Sequence, residues 1–373
     1  MADVVVIGGG VIGLSLAWEL SGQGAKVAVL DRQSMGQEAS WAGAGMLPPG
    51  KVGPAMNPEQ RLRAHSHQLW KPLSETLTDL TGIDNGFRNC GALEVGFPGE
   101  HDRIANEIAT WKSEGVVVDV LDSNALRKQE QKLNREIETG YLLPEMGQVR
   151  NPRHLKALAV GCGLRGGVTF HSSLEVQGFE TDGDRITGVR TRGGTIEGDQ
   201  FCLTAGAWSG ELASQVGLKL PVKPVRGQIV LLSTVPRVLT RIVQQGRRYL
   251  VPRPDGRLLI GATEEYDTGF TKQNTTAGVT ALLQFAAKIA PCLELAKIEQ
   301  MWSGLRPGSP DELPYLGKVP DMKNFFVAAG HFRSGLQMSP ATARVMRQLI
   351  LGQELDFSLD GLECDRTATA DES

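Results

Sequence analysis

Residues 4–31 read VVVIGGGVIGLSLAWELSGQGAKVAVLD. In this stretch, two short apolar strands flank a glycine turn and a helical run, and the second strand ends on Asp31. Gly8, Gly10 and Gly13 match G-x-G-x-x-G, in which the glycines allow a tight turn, the approach of a pyrophosphate and the packing of the helix on the strand. A carboxylate about 20 residues further on can accept ribose hydroxyl groups. The pattern predicts a dinucleotide-binding β-α-β unit, and the alternative is a glycine-rich turn without a ligand.

The composition excludes several classes of protein. With 373 residues, the chain exceeds the roughly 250–300 at which a single core stops growing, so two domains are expected. A net charge of −3 argues against a nucleic-acid partner. No apolar run approaches the ~18 residues of a membrane span, and the first strand leaves no room for a signal peptide. We therefore expect a cytoplasmic protein without a membrane partner.

The cysteines and histidines give no metal or disulfide pattern. The cysteines are odd in number and scattered, and no C-x-x-C occurs. His65 and His67 are two residues apart, which places them on different faces of a helix. Neither a disulfide framework nor a metal site is predicted. The cysteines are Cys90, Cys162, Cys202, Cys292 and Cys364.

Six further stretches combine small residues with aromatic, arginine or proline residues. They are SWAGAGM (40–46), LTAGAWS (203–209), YLVPR (249–253), IGAT (260–263), WSGLRPGSPDELPYLG (302–317) and GHFRSG (330–335). With the N-terminal unit, they resemble the D-amino-acid oxidase superfamily of FAD enzymes over nearly the whole chain. Within that superfamily they look most like the glycine-oxidising branch of thiamine (thiazole) biosynthesis. The two C-terminal stretches together are the most specific part of the resemblance.

The resemblance implies FAD rather than NAD as the cofactor. Related enzymes that attach the flavin covalently use a cysteine near the position of Arg306. Because no cysteine lies between Cys292 and Cys364, non-covalent FAD is expected.

The resemblance also implies which residues contact FAD. Gly45 and Met46 lie beside the flavin, Val176 contacts the adenine through its backbone, and residues 331–337 follow the pyrimidine end. The implied cofactor-binding residues are Gly8, Gly10, Val11, Ile12, Gly13, Asp31, Arg32, Ser40, Ala44, Gly45, Met46, Val176, Gly206, His331, Phe332, Arg333, Ser334, Gly335, Leu336 and Gln337.

By the same resemblance, Arg306, Tyr249 and Arg333 are the catalytic and substrate-binding side chains. A guanidinium binds a carboxylate through two parallel hydrogen bonds, so Arg306 is expected to hold the substrate carboxylate, the alternative being a structural ion pair. Tyr249 can donate to the same carboxylate, and Arg333 is expected close to flavin or substrate. Glu264 either faces the substrate, where it attracts the amine or repels a second acidic group, or ends a solvated strand; the sequence leaves both open.

The implied reaction is oxidative deamination of glycine and other small amines or D-amino acids. A hydride passes to flavin N5 and oxygen accepts the electrons, which gives the imino acid (then glyoxylate and ammonia) and hydrogen peroxide. One alternative is a sarcosine or broad D-amino-acid oxidase, or a D-amino-acid dehydrogenase. A remote alternative is a non-catalytic nucleotide-binding regulator. Relatives are often homo-oligomeric, so a homo-oligomer stays open.

The expected fold class is α/β. A discontinuous Rossmann-type FAD-binding domain is predicted from residues 1–85, 146–215 and 322–373. An inserted α+β substrate domain with a mainly antiparallel sheet is predicted from residues 86–145 and 216–321.

Overall fold

The computed structural model describes residues 1–367, so the end of the predicted segment 322–373 lies outside the described residues. The strands are β1 Ala2–Ile7, β2 Val27–Leu30, β3 Met46–Leu47, β4 Arg88–Asn89, β5 Ala92–Gly96, β6 Asp119–Asp122, β7 Thr139–Leu143, β8 Gly147–Gln148, β9 Val168–His171, β10 Val176–Asp182, β11 Arg185–Thr191, β12 Gly194–Leu203, β13 Lys223–Ser233, β14 Ile242–Gln245, β15 Arg248–Pro252, β16 Arg257–Gly261, β17 Lys297–Gly308, β18 Tyr315–Lys318 and β19 Phe325–Ala329. The α-helices are α1 Val11–Ser21, α2 Ala39–Ala42, α3 Pro58–Thr81, α4 His101–Ser113, α5 Ser123–Gln129, α6 Asn151–Arg165, α7 Ser209–Ser214, α8 Thr276–Ile289 and α9 Gly335–Ile350, and Gly206–Trp208 and Pro291–Leu295 are 3₁₀ turns.

The first sheet has a parallel core in the order β9-β2-β1-β12-β19. Helix α1 joins the parallel strands β1 and β2, as in a β-α-β unit. The β10–β11 hairpin extends β12 on one side, and β18 pairs antiparallel with β19. The Rossmann-type sheet predicted from residues 4–31 is confirmed.

Strand β1 is continuously apolar from Val4 to Ile7 because both faces of its sheet are covered there. Val4 and Val6 pack with the core of α1, α3, α6 and α9, whereas Val5 and Ile7 pack into the core on the opposite face. Side chains alternate between the faces of a strand, so a sheet covered on both sides needs a continuous apolar run. The opening run of valines therefore marks a central strand.

The second sheet is mainly antiparallel, as predicted. Its order is β17-β13-β16-β15-β14-β5-β7-β6, and only the β14–β5 pair is parallel. Helix α8 covers it with Leu282, Phe285 and Ile289, which follow one another at helical spacing. The fold class expected from the sequence is confirmed.

Two details differ from the sequence expectation. Strand β18 lies in the predicted substrate segment 216–321, yet it pairs with β19 of the first sheet. A small third sheet, β3-β8-β4, pairs strands from segments that the sequence assigned to different domains. The predicted division of the chain thus assigns β18 to a different unit from its pairing partner, and the two-domain division itself stays a prediction.

Residues 1–367 can be searched for the membrane helices, metal sites and disulfides considered in the sequence analysis. No helix there is long and apolar enough to cross a membrane. The same residues contain no group of three or more His, Cys, Asp or Glu side chains arranged to hold a metal ion. The five cysteines are free thiols.

Candidate active site

A cavity of about 670 Å³ collects nearly all the residues singled out in the sequence. Its wall comes from the β1–α1 turn, the small-residue loop 39–46, the turn after β12, the β14–β15 hairpin, β17 and the segment from β19 into α9. Every implied cofactor or substrate residue lines it except Gly13. The structure brings together residues 300 positions apart, while the individual roles stay predictions.

The two outer glycines of the first turn are required by packing. Gly8 has φ +112°, and a Cβ there would lie 2.5 Å from the carbonyl oxygen of Thr204. A Cβ on Gly13 would collide with the carbonyl oxygen of Gly8. Gly13 therefore acts by letting α1 approach β1, which explains its absence from the cavity wall.

Asp31 and Ser40 hold the glycine turn in place. One carboxylate oxygen of Asp31 accepts from the Gly9 N–H at 2.8 Å and the other from the Gln33 N–H at 2.8 Å. Burial raises the pKa of Asp31, and the two backbone hydrogen bonds oppose that shift. Ser40 Oγ accepts from the Val11 N–H at 2.9 Å, one of the first donors of α1.

The amino ends of two helices meet at the cavity. Helix α1 begins after Gly10, which has no capping side chain, and α9 begins after Ser334, whose side chain makes no capping hydrogen bond. The segment that enters α9 lines the cavity. The first N–H groups of a helix lack partners within the helix and carry a partial positive charge, so both ends favour negative ligand groups.

Two buried acceptors belong to residues that line the cavity. Asn151 Oδ1 and Gln337 Oε1 have no hydrogen-bond partner within the described chain, and both residues line the cavity. Asn151 also donates from Nδ2 to the Ser40 carbonyl at 2.8 Å. Asn151 is not among the residues predicted from the sequence, because a buried asparagine has no motif of its own.

Arg306 on β17 and Tyr249 on β15 belong to the second sheet, and two glycines on the intervening strands β13 and β16 leave room for their side chains. A Cβ on Gly227 would collide with the Arg306 guanidinium, and a Cβ on Gly261 would collide with the Tyr249 ring. Arg306 donates to the Thr263 carbonyl at 3.1 Å and makes no ion pair with any described carboxylate. Burial raises the pKa of Tyr249, although the Arg306 charge opposes the shift, so the phenol keeps its proton at neutral pH.

Glu264 lies at the cavity wall between charged neighbours. Its carboxylate accepts from Arg333 at 2.6 Å, from Arg247 at 2.8 Å and from the Tyr266 hydroxyl at 2.5 Å. Burial alone would raise the pKa of Glu264, but these donors outweigh burial and lower it. Arg333 is also paired with Glu312. Of the two alternatives for Glu264, the geometry favours a residue that faces the cavity.

His331 is buried and neutral. Its Nε2 lies 3.2 Å from the Thr342 hydroxyl in α9, and burial lowers its pKa to about 3. Its carbonyl accepts from the Ser334 N–H at 3.0 Å, which closes the turn into the helix. His331 is thus placed to shape the cavity wall and to carry no charge there.

Comparison with models of protein families identifies the family that has these sequence features. The sequence model of the FAD dependent oxidoreductase family (DAO) matches residues 3–349. The chain belongs to this family. The predicted resemblance to the D-amino-acid oxidase superfamily and the dependence on FAD are confirmed.

Members of the family cover nearly the full chain. The glycine oxidase of Pseudomonas aeruginosa is 36% identical over 365 residues, which cover 94% of this chain and 95% of the relative. The bifunctional protein ThiO/ThiG of Nostoc sp. is 35% identical over 375 residues, which cover 98% of this chain and 55% of that longer protein. Among solved structures, glycine oxidase from Geobacillus kaustophilus superposes with a TM-score of 0.92 at 32% identity and covers 99% of both chains.

The residues present fit the family's cofactor. Two helix ends without an N-cap side chain suit the pyrophosphate and the electron-rich end of a flavin, and the unpartnered Asn151 and Gln337 oxygens can accept from ligand N–H or O–H groups. Asp31 lies beside the glycine turn, in position for ribose hydroxyls. No cysteine is among the cavity-lining residues of the described chain, which supports the prediction of non-covalent FAD.

Proposed function

We propose that this FAD-dependent oxidoreductase oxidises glycine and other small amino acids or amines at the carbon that bears the amine. The observation that carries the proposal is Arg306, a half-buried guanidinium at the cavity wall that has no carboxylate partner in residues 1–367. A charged group in such a place calls for an anionic ligand. The glycine oxidases that cover nearly the whole chain support glycine as the substrate.

The chain's own residues bind and orient the substrate. Arg306 holds the carboxylate through its fork of donors, and the protonated Tyr249 hydroxyl donates to the same group. Bound FAD supplies the two-electron oxidation at its N5. Overall, glycine, oxygen and water give glyoxylate, ammonia and hydrogen peroxide.

The proposal includes the physiological setting. Oxygen is the acceptor, the protein acts in the cytoplasm, and the imino product serves thiazole formation for thiamine; the relative named ThiO/ThiG supports the last part. Whether the chain forms a homo-oligomer is measured directly by light scattering during size-exclusion chromatography.

The function is tested with the purified FAD-loaded protein. Anaerobic mixing with glycine, sarcosine or D-alanine should bleach the flavin absorbance, and admission of oxygen should release one peroxide per amine oxidised. Reduction without peroxide release would favour a dehydrogenase. If no amine in the panel reduces the flavin, the proposal is wrong and the nucleotide-binding regulator gains support.

Arg306→Ala tests the carboxylate assignment. Truncation of one partner of a desolvated charge pair costs about 2–5 kcal/mol, so kcat/KM for glycine should fall at least about 30-fold while FAD is retained. Arg192→Ala, in the exposed β11–β12 turn, is the matched control and should change nothing. An Arg306→Ala protein with normal glycine turnover would refute the assignment.

A further inference from the structure

Four charged side chains from four separate segments meet beside the substrate end of the cavity. Arg247 comes from the β14–β15 turn, Glu264 from the chain after β16, Glu312 from the chain after β17, and Arg333 from the turn before α9. We call these four residues the charged ring. Glu264 contacts Arg333 at 2.6 Å and Arg247 at 2.8 Å, and Glu312 pairs with Arg333 and lies 3.8 Å from Arg247. The ring therefore balances two positive charges with two negative charges.

The two carboxylates of the charged ring occupy different environments. Glu264 lines the cavity and its side chain is 16% exposed, whereas that of Glu312 is 46% exposed. Glu312 is not among the cavity-lining residues of the described chain. Solvent and salt screen an exposed charge more strongly than a shielded one, so Glu264 has the stronger effect on a ligand in the cavity.

Two arginines at the cavity wall, Arg333 and Arg306, differ in how many of their donor groups are already occupied. Arg333 donates from one terminal nitrogen to Glu264 and from the other to Glu312, so both prongs of its fork are occupied. Arg306 donates to one neutral carbonyl. A substrate with one carboxylate can use Arg306 alone. A substrate with a second carboxylate needs another open cation and meets the negative charge of Glu264 instead.

We propose that Glu264 is a specificity-determining residue that excludes substrates with a second carboxylate, by occupying Arg333 and Arg247 and by placing its own negative charge at the cavity wall. This inference rests on the proposed function. The excluded class comprises N-carboxymethyl and other dicarboxylic amino acids. Specificity here comes from a repulsive element added to an attractive one, since Arg306 binds every carboxylate that reaches it.

Glu264→Gln tests the inference. The amide has the size of the carboxyl group and keeps an acceptor for Tyr266, but it removes the charge and weakens the hold on one Arg333 nitrogen, while Glu312 keeps the other. The ratio of kcat/KM for iminodiacetate to that for glycine should rise at least tenfold, which corresponds to about 1.4 kcal/mol. Glu264→Met removes the hydrogen bonds as well and should shift the ratio in the same direction.

Glu312→Gln is the matched control. It removes the same charge from the same ring at the exposed position and should change the ratio less than threefold. An equal effect of the two glutamine variants would overturn the special role of Glu264. So would an unchanged ratio in both Glu264 variants.

A binding measurement separates this inference from the proposed function. Calorimetric titration with malonate and with acetate, neither of which is oxidised, compares ligands with two carboxylates and with one. Glu264→Gln should tighten malonate at least tenfold and acetate less than threefold. If glycine reduces the flavin but malonate affinity is unchanged, the inference fails and the function stands; if no amine reduces the flavin while malonate tightens, the function fails and the charge effect stands.

Discussion

Single side chains at the cavity wall differ in what they contribute to substrate binding. The Tyr249 phenol is protonated at neutral pH, since burial raises its pKa further above the usual value, so it can donate one hydrogen bond to the carboxylate held by Arg306. A hydrogen bond to a charged group contributes about 1.5–3 kcal/mol. Tyr249→Phe should therefore weaken acetate binding about tenfold or more, as measured by calorimetry.

A second substitution shows whether that loss belongs to the carboxylate. In the Arg306→Ala background, Tyr249→Phe should cost much less, because the phenol has lost the ligand group that it shares with the guanidinium. Equal losses in both backgrounds would mean that Tyr249 acts on acetate independently of Arg306.

Among single residues, the sequence predicted those that combine a chemically distinctive side chain with a place in a recognisable motif. Arg306 and Tyr249 belong to such stretches, and the structure brings them together in one cavity. Asn151 and Arg247 were missed, because their importance comes from contacts with residues far along the chain. Glu264 stayed open for the same reason: its partner Arg333 is 69 positions away.

The β14–β15 hairpin carries Arg247 and Tyr249, and a buried carboxylate holds its turn. Glu94 of β5 accepts from the Gly246 N–H at 2.7 Å and from Arg103 at 2.6 Å. Burial raises the pKa of Glu94 to about 7, against the opposing effect of the Gly246 and Arg103 hydrogen bonds. The element that presents two cavity residues is thus anchored by a group that titrates near neutrality.

This titration makes stability depend on pH with a definite sign. Between pH 4.5 and about 7, the unfolded chain has lost the Glu94 proton while the folded chain keeps it, so the free energy of unfolding falls as pH rises. The contribution amounts to a few kcal/mol, or about 1.4 kcal/mol per unit of pKa. Urea unfolding at pH 5 and pH 8 should show this loss in the wild-type protein and not in Glu94→Gln. Parallel pH profiles for the two proteins would contradict it.

Helix α9 shows why element boundaries were harder to predict than element types. Pro340 favours a helix that starts one residue before it, but the helix begins at Gly335, with Pro340 inside it. Proline has no N–H for the carbonyl four residues earlier, which is that of Leu336. The Ser339 hydroxyl donates to this carbonyl at 2.8 Å and replaces the missing bond. The extra turn brings the uncapped end of α9 to the cavity.

On the scale of the whole molecule, the fold class was predictable and the joining of its parts was not. A run of valines and a glycine turn identify a central parallel strand, because covered sheets need continuous apolar runs. The contacts between the sheets depend on residues with no periodic pattern. Arg253 is the main example, since it donates from the end of the second sheet to the Ala44 carbonyl at 2.7 Å and to the Gln148 side chain at 2.6 Å.

Arg253 should therefore matter for stability and cofactor retention together. It is buried without a described carboxylate partner, and burial lowers its pKa to about 9. Arg253→Met leaves the Ala44 and Gln148 acceptors unsatisfied, which costs about 1–3 kcal/mol for each group. The free energy of unfolding should fall by about 3 kcal/mol, and FAD should bind more weakly because Ala44 lines the cavity.

Thermal unfolding during an FAD titration measures both effects. A ligand that binds only the folded state raises stability in proportion to ln(1 + [FAD]/Kd), so excess FAD should recover part of the Tm that Arg253→Met loses. Arg257→Met, at an exposed arginine paired with Asp255 and Glu299, should cost less than about 1 kcal/mol and leave FAD affinity unchanged. Equal losses of unfolding free energy and FAD affinity in the two variants would show that the contacts of Arg253 do not hold the small-residue loop to the second sheet.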